Sequence, residues 1–340
     1  PFEWKDNFND VFPADFIAEG VDQTRGWFFT IHAIAAMIGE SVAFKNIISN
    51  GLVLDAKGNK MSKRLKNAVD PFSTIEKYGS DPLRWYMITN AQPWDNLKFD
   101  LEGIAEVQRK FFGTLYNTYG FFAIYANIDH YVIDGNNTIA LRDRSELDRW
   151  IISKLNNLMR TVTENLDDFN PTTAARAIEE FVDAHLSNWY VRLSRKRFWH
   201  GELSTDKQAA YQTLHECLVT VTQLASPFAP FFSDWLYRNL TETARTRATQ
   251  VNKALNYESV HLSMLVRADV SKIDDELESF ASTYFAKAGI TDSVIQKIGS
   301  ALEIIPTLDE TFDLVFLDAD KREYPQYYDQ VFDKVSKGGY

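Results

Sequence analysis

Two lysines flanking Met61 and Ser62, in the run Lys60-Met61-Ser62-Lys63, are the side chains of this sequence best suited to meeting a phosphate. They follow an apolar stretch, Ile47 to Leu54, that reads as a buried strand. Turn chemistry from Ala56 to Asn59 comes next, with Gly58 free to take positive φ. A loop at the carboxyl end of a strand is where open α/β sheets bind ligands. Ammonium groups on such a loop suit a reaction that builds negative charge on phosphorus. Taken alone, the four residues fit a solvated lysine-rich turn better, so the surrounding sequence must decide.

The elements that would carry these groups are mixed at first and helical later. Asp22 to Ile38 reads as a helix, with Trp27, Ile31, Ile34 and Ile38 at helical spacing. Asp70-Pro71 opens a second helix and Asp81-Pro82 a third, continuing through Leu83, Tyr86 and Met87, with proline where its missing N–H costs nothing. From about residue 103 the pattern turns helical, starting with an aromatic-rich stretch, Ile104 to Tyr125. Leu147, Trp150, Ile151, Leu155, Leu158, Met159, Val162 and Leu166 form one apolar stripe. Ile178, Phe181, Val182, Leu186, Trp189, Tyr190 and Leu193 form a second, and Tyr211, Leu214, Leu218, Val221 and Leu224 a third. Phe231 to Leu240 predicts a short fourth helix, and Thr241 to Glu258 a loose polar excursion. Short connections between such helices predict an antiparallel bundle. Beyond Glu278 the reading is a helix from Phe280 to Ala288 and strands at Val294 to Ile298 and Phe312 to Leu317.

The chain has 340 residues, a formal net charge of −11, 45% hydrophobic residues and one cysteine, Cys217. That length accommodates two or three domains. A lone cysteine excludes an internal disulfide and argues against a cysteine zinc site, in keeping with a reducing, cytoplasmic setting. No run of about 18 apolar residues suggests a membrane span, and no signal peptide is visible. Net acidity argues against a nonspecific nucleic-acid coat. Arg192, Arg195, Lys196, Arg197 and His200 nevertheless form a local basic cluster. The sequence opens at Pro1 without methionine and closes on Lys337-Gly338-Gly339-Tyr340, so both ends read as cut.

Three separated blocks carry a family resemblance. Phe12-Pro13-Ala14-Asp15-Phe16-Ile17-Ala18-Glu19-Gly20-Val21-Asp22-Gln23-Thr24-Arg25-Gly26-Trp27-Phe28 resembles the segment that precedes the lysine loop in class I isoleucyl-tRNA synthetases. The Lys60 to Lys63 run itself resembles that loop. Asn188-Trp189-Tyr190-Val191-Arg192-Leu193-Ser194-Arg195-Lys196-Arg197-Phe198-Trp199 resembles a signature of the same family's anticodon-binding domain. The resemblance covers Pro1 to about Glu278. Valyl and leucyl synthetases are near relatives of the same class.

The resemblance implies ATP-dependent activation of isoleucine and its transfer to isoleucine tRNA, with Mg²⁺ accompanying ATP and a monomeric parent enzyme. Lys63, with Lys60 in the same loop, is assigned to ATP phosphates, and Met61 and Ser62 to the same nucleotide site. Glu19 and Gly20 fall where the family binds the aminoacyl-adenylate; the glycine permits close backbone approach. Asp22 and Gln23 would continue that pocket, although Asp22 is equally placed to cap a helix. Gly51 and Leu52 would meet adenine through backbone groups. His32 reads as structural, since an ionised carboxylate needs no base to attack phosphorus. Arg192, Arg195 and Lys196 are the candidate RNA contacts, while Trp189, Tyr190 and Leu193 belong to the predicted core stripe. The family's histidine-bearing HIGH motif and its editing insertion are absent from the sequence, so the chain by itself is expected to make no adenylate.

Residues from about 279 resemble a different family. Thr283-Tyr284-Phe285-Ala286-Lys287-Ala288-Gly289-Ile290 and Phe312-Asp313-Leu314-Val315-Phe316-Leu317-Asp318-Ala319-Asp320-Lys321 resemble caffeoyl-CoA or catechol-type O-methyltransferases. That likeness implies S-adenosylmethionine and a divalent cation, with Asp318 as metal ligand. The glycine-rich cofactor loop and the remaining ligands are missing, so methyl transfer is not expected. Such a juncture would be natural, engineered or an assembly error. The expected fold class is therefore α/β plus all-α. Residues 1–102 are read as the carboxyl-side half of a class I Rossmann catalytic domain, 103–278 as a helical-bundle anticodon-binding domain, and 279–340 as a partial Rossmann-like methyltransferase segment. The rival readings are a metal-dependent O-methyltransferase and a noncatalytic tRNA-binding module.

Overall fold

The computed structural model describes residues 6, 8–39, 41–62, 64, 67–133, 138–247, 257–273, 289, 291–295, 297, 301–317 and 324–338. The backbone divides into two units, Pro1–Asp274 and Asp275–Tyr340. In the first, a short helix α1 (Phe8–Val11) precedes strand β1 (Ala14–Gly20), which pairs in parallel with β2 (Phe44–Asn50). Parallel pairing requires a crossover. It is supplied by a 3₁₀ turn (Val21–Arg25) and helix α2 (Trp27–Gly39). The single helix expected from Asp22 to Ile38 is thus interrupted at Gly26. Its expected core stripe also points the other way: α2 buries Phe28 and Ala35, while Trp27, Ile34 and Ile38 are 50%, 49% and 79% exposed. Among the described residues this sheet has two strands, so α2 meets it along one narrow line, with Phe28 against Phe44.

The strand expected over Ile47 to Leu54 is divided too. Strand β2 ends at Asn50, and β3 (Val53–Leu54) leaves to pair in parallel with β4 (Leu97–Lys98). Gly51 marks the crossing. A Cβ there would lie 2.1 Å from the Asp95 carbonyl oxygen, so no other residue fits without moving backbone. The N–H of Gly51 donates to the Pro93 carbonyl at 2.9 Å.

Helix α3 (Pro71–Tyr78) begins as the sequence predicts, its first turn capped by the Asp70 carboxylate, which accepts from the Ser73 N–H at 3.0 Å. Helix α4 (Ser80–Asn90) starts one residue before Asp81. One face of α4 places Leu83 and Tyr86 in a small core with Leu97, Phe99 and Ile104, against which Met61 packs. The other face enters the helical region. Trp85 is fully buried there, stacked on Phe111 at 4.0 Å with Phe112 and Phe228 edge-on, and its indole N–H donates to Glu179 at 2.7 Å.

The helical region runs from α5 (Leu101–Val107) through a π turn (Gln108–Phe112) into α6 (Gly113–Ile128). Helix α7 (Glu146–Asp167) follows, opened by a Ser145–Asp148 capping box. Helix α8 (Pro171–Glu180) continues through a second π stretch (Phe181–Val191) into α9 (Arg192–Trp199). Helices α10 (Thr205–Ala225) and α11 (Pro230–Arg247) complete it. The first and third apolar stripes are core as read: Ile151, Leu155, Val162, Tyr211, Leu214, Leu218, Val221 and Leu224 are at most 1% exposed.

Two readings change. The fourth helix extends seven residues beyond Leu240, with the Thr241 hydroxyl donating to the Tyr237 carbonyl at 2.8 Å. That carries helix into part of the expected polar excursion, whose residues 248–256 lie outside those described. The second stripe changes phase. Trp189 and Leu193 are 47% and 52% exposed, while Tyr190, Val191, Ser194 and Phe198 are buried. The π stretch closes its hydrogen bonds over five residues rather than four, which rotates the buried face relative to an α-helical reading.

The second unit holds α12 (Ala301–Ile304) and α13 (Tyr324–Phe332) around Ile305, Tyr327 and Val331, with Val315 and Leu317 packed on them. The strand expected at Phe312 to Leu317 reduces to one parallel bridge between Phe312 and Val335. Leu314 and Phe316 face outward, 67% and 81% exposed. An apolar parallel strand needs neighbours on both edges and cover on both faces, and a single bridge supplies neither. The described part of Val294 to Ile298 is not strand, and the helix expected from Phe280 to Ala288 lies outside the described residues.

Trp85→Ala is expected to lower stability by about 3–5 kcal/mol, the range for a large buried aromatic, in urea unfolding. Phe72→Ala, at a side chain 81% exposed, should stay within about 0.5 kcal/mol. Gly51→Ala should cost about 1–3 kcal/mol and speed hydrogen exchange at the Leu97 amide, which donates to the Leu52 carbonyl.

Candidate nucleotide site and RNA face

Strand β1 delivers Glu19 and Gly20 at its carboxyl end, opposite Ser49 and Asn50 of β2. A Cβ at Gly20 would lie 2.6 Å from Asp22 Oδ1, so a side chain there would push the exposed Asp22 carboxylate aside. The Asp22 carboxylate folds back over this glycine and accepts from Gln23 Nε2 at 2.8 Å. Gln23 Oε1 in turn accepts from the Trp27 N–H at 3.3 Å. Gln23, not Asp22, therefore supplies the side-chain contact at the start of α2. The Ser49 hydroxyl beside Glu19 is buried without a hydrogen-bond partner among the described residues. His32 is exposed on α2, its ring 6.1 Å from that of Phe44. Gly51 and Leu52 lie directly after β2, but their N–H groups are engaged, Gly51 with Pro93 and Leu52 with Asn96 Oδ1 at 2.8 Å. A base approaching them would meet donors already in use.

The lysine loop leaves β3 under tight control. Gly58 takes φ of 84° and donates to the Asp55 carbonyl at 2.8 Å. The Asp55 N–H donates to the Asn59 carbonyl, and Leu54 and Lys60 form an antiparallel bridge. Asp55 Oδ1 accepts from the N–H groups of Lys57 at 3.0 Å and Asn59 at 2.7 Å. The side chain of Asn67, and then the backbone of Asn59, hold the Asp55 carboxyl below its ordinary value of 3.8. Asn67 Oδ1 accepts from the Ser62 N–H at 2.9 Å. Lys60 is exposed, Met61 is half-buried on the small core, and Lys63 lies outside the described residues. Glu19 is the penultimate residue of β1 and Lys60 comes after the carboxyl end of β3, and among the described residues no hydrogen bond or ion pair joins them. Asp55 and Asn67 escaped the sequence reading; an aspartate three residues before a turn glycine was the available signal.

In the helical region the basic cluster separates into two roles. Arg197 donates to both oxygens of Asp148, at 2.9 and 2.7 Å, and also to Asp206. Burial alone would raise the Asp148 carboxyl; the hydrogen bond and charge of Arg197, with Tyr190 and Ser145, bring it below its ordinary value. Arg192, Arg195 and Lys196 are exposed, and among the described residues none of the three is in an ion pair. Trp199, 57% exposed, lies one helical step from Arg195 and Lys196. With Trp189 turned outward as well, these residues make an aromatic and cationic surface of the kind that stacks bases and holds phosphates.

The site proposed at Asp318 lies outside the described residues. Among the described residues no group of three or more metal-ligating side chains converges, and no helix is long and apolar enough to cross a membrane.

Comparison with known proteins places these features. Residues 1–100 match the family described as tRNA synthetases class I (I, L, M and V), and residues 148–309 match the anticodon-binding domain of tRNA ligase. The isoleucine–tRNA ligase of Porphyromonas gingivalis is 60% identical over 280 residues, covering 82% of this chain and 23% of the relative. That of Cytophaga hutchinsonii is 58% identical over 278 residues, covering 82% and 24%. The chain thus spans about a quarter of the length of the curated relatives it matches. Mycobacterium tuberculosis methionyl-tRNA synthetase, in complex with methionyl-adenylate, shares the fold with a TM-score of 0.58 at 19% identity, over 71% of this chain and 47% of that one. Over the residues these matches cover, the chain belongs to the class I aminoacyl-tRNA synthetases.

Proposed function

We propose that residues 1–102 form the lysine-loop half of a site that activates isoleucine with ATP, and that residues 103–278 hold isoleucine tRNA. The observation that carries this reading is the hydrogen-bonded turn bearing Lys60, which follows β3 in a chain that is 60% identical over 280 residues to an isoleucine–tRNA ligase. In the reaction the amino-acid carboxylate bonds to the α-phosphorus, and the bond from that phosphorus to the pyrophosphate oxygen breaks. Both partners are anionic, so positioning and charge compensation carry much of the catalysis. Lys60 and Lys63 offset the charge of the departing pyrophosphate. Glu19 accepts from the substrate ammonium, with Gly20, Asp22 and Gln23 shaping the wall beside it. Met61 and Ser62 set the loop, Met61 through its contact with the core. Gly51 and Leu52 border the purine. Mg²⁺ would arrive on the triphosphate, with phosphate oxygens among its ligands; it supplies charge compensation there.

In the RNA half, Arg192, Arg195 and Lys196 meet phosphates, and Trp189 and Trp199 offer faces to unpaired bases. For residues 279–340 the methyltransferase likeness rests on sequence resemblance. S-adenosylmethionine and a divalent cation enter only through that resemblance.

Equilibrium dialysis with ATP tests the nucleotide half. Lys60→Ala combined with Lys63→Ala is expected to weaken ATP binding at least about tenfold, on the scale of positioned charge donors; equal binding overturns the reading. The chain alone is expected to show no isoleucine-dependent ATP–pyrophosphate exchange, and measured exchange would overturn that expectation. Fluorescence anisotropy with an isoleucine tRNA transcript tests the other half. Arg195→Glu with Lys196→Glu should weaken binding and reduce the salt slope by about 1 per lost phosphate contact. Trp199→Ala should weaken binding by about 1–3 kcal/mol while leaving that slope unchanged. Unaltered affinity in both, with helicity intact, removes this surface from RNA recognition.

A further inference from the structure

The polar side chains inside the lysine loop converge on one amide. Asn67 Nδ2 donates to Asp55 Oδ2 at 2.9 Å and to the Lys60 carbonyl at 3.3 Å, while its Oδ1 accepts from the Ser62 N–H at 2.9 Å. A single side chain thus ties the strand exit at Asp55 to the backbone on both sides of Met61. Asp55 is held in turn by the Lys57 and Asn59 N–H groups, so its carboxylate cannot swing away from Asn67 without breaking the turn. Met61 adds an apolar anchor on Leu83, Tyr86, Leu97, Phe99 and Ile104. Lys60 remains exposed above this attachment. A loop built this way restrains its backbone while leaving the ammonium group free, the arrangement that lowers the entropy cost of gripping a polyphosphate.

We propose that Asn67, held by Asp55, is a positioning residue for this loop: its amide presets the Lys60–Ser62 backbone so that Lys60 stands ready for the phosphate chain of a nucleoside triphosphate. The inference rests on the nucleotide reading above and adds to it a pair of residues that touches no ligand. The hydrogen bonds are directional, which makes the pair reversible. In the exchanged pair, Asp55→Asn with Asn67→Asp, the new amide at 55 donates to the new carboxylate at 67. That carboxylate still accepts from the Ser62 N–H, and the amide oxygen at 55 still accepts from the turn. Two longer bonds are lost, that to the Lys60 carbonyl and that from Asn59 Nδ2 to the second oxygen at 55, each 3.3 Å in the native loop. Asn67→Asp alone instead sets two carboxylates face to face and removes the donor.

The test measures amide hydrogen exchange over residues 57–62 and ATP affinity by equilibrium dialysis, on the full chain and three variants: Asn67→Ala, Asn67→Asp and the exchanged pair. Both single variants are expected to speed exchange at the Ser62 amide and to weaken ATP binding about tenfold, the equivalent of one net hydrogen bond of about 1.4 kcal/mol. The exchanged pair is expected to recover most of both. Recovery separates positioning from general damage, since helicity and urea midpoint should stay constant across the set. Loosened exchange with unchanged ATP affinity overturns the inference while leaving the nucleotide reading intact, as does unchanged exchange in Asn67→Ala. Weak binding in the exchanged pair equal to that of Asn67→Asp also overturns it. Failure of the unsubstituted chain to bind ATP at millimolar concentration defeats the nucleotide reading itself, and the inference with it.

Discussion

Trp85 sits fully buried against Phe111 and Phe112 of the π turn after α5, Glu179 of α8 and Phe228 just before α11, and the lysine loop is held in place from α4, the helix that carries this indole. Its indole closes the joint from one side of α4. From the other, Tyr86 completes a compact hydrogen-bonded node: its hydroxyl donates to the Lys98 carbonyl at 2.9 Å and accepts from the Asp100 N–H at 2.9 Å. Burial raises the Tyr86 hydroxyl above its ordinary value, so it stays a donor at any physiological pH. Lys98 belongs to β4, β4 pairs with β3, and β3 launches the loop. Met61 then returns to the same small core. The path from an aromatic joint to Lys60 is therefore short and made largely of directional contacts. Rigid support of this kind is what a catalytic loop needs if its charges are to act without reorganising.

The joint is reinforced by groups that would be costly if unpaired. Arg84 donates to the carbonyls of Phe228 and Pro227, at 3.0 and 3.1 Å, and Arg176 donates to that of Thr89 at 2.8 Å. These carbonyls lie at helix ends, where the backbone lacks internal partners. Asp81 performs the converse service, accepting from the Phe232 N–H in the first turn of α11 at 2.6 Å. Burial raises the Asp81 carboxyl despite that bond and the nearby Arg84. Two helix ends and one helix start are thus satisfied across the joint, and orientation follows from geometry that a purely apolar contact would leave loose.

How much of this was legible depends on the range of the signal. Asp70-Pro71 announced α3 because capping is decided within four residues, and the stripes of α7 and α10 were legible because an unbroken helix repeats every 3.6 residues. The second stripe failed at Trp189 and Leu193 because a π stretch shifts phase without any residue type that marks it. The outward turn of Trp27, Ile34 and Ile38 was invisible for another reason: periodicity identifies an apolar face, but what covers it is a property of neighbouring elements. Gly51 shows the same limit at closer range. Its need for zero side chain comes from Asp95, forty-four positions away. In the candidate site, Glu19 and Lys60 were found as chemistry-bearing residues, whereas Asn67 was passed over because its role exists only through contacts with Asp55, Lys60 and Ser62.

The phase shift in the second helix also bears on how an acidic chain can address RNA. With a net charge of −11, long-range attraction to a polyanion is not available from the chain as a whole. At physiological salt, fields decay over about 8 Å, so only local charge counts. The nearest basic residue to the core, Arg197, is committed to Asp148 and Asp206 and is not free to meet phosphate. Had the helix stayed α-helical, Trp189 and Leu193 would have been drawn into the core alongside Tyr190. The π stretch instead buries Tyr190 on Asp148, at 2.6 Å, and turns Trp189 out toward the face that carries Arg192, Arg195, Lys196 and Trp199. A rotation of the backbone that satisfies one buried carboxylate thereby assembles, on the opposite side, the mixture of flat rings and unpaired cations that the RNA reading requires.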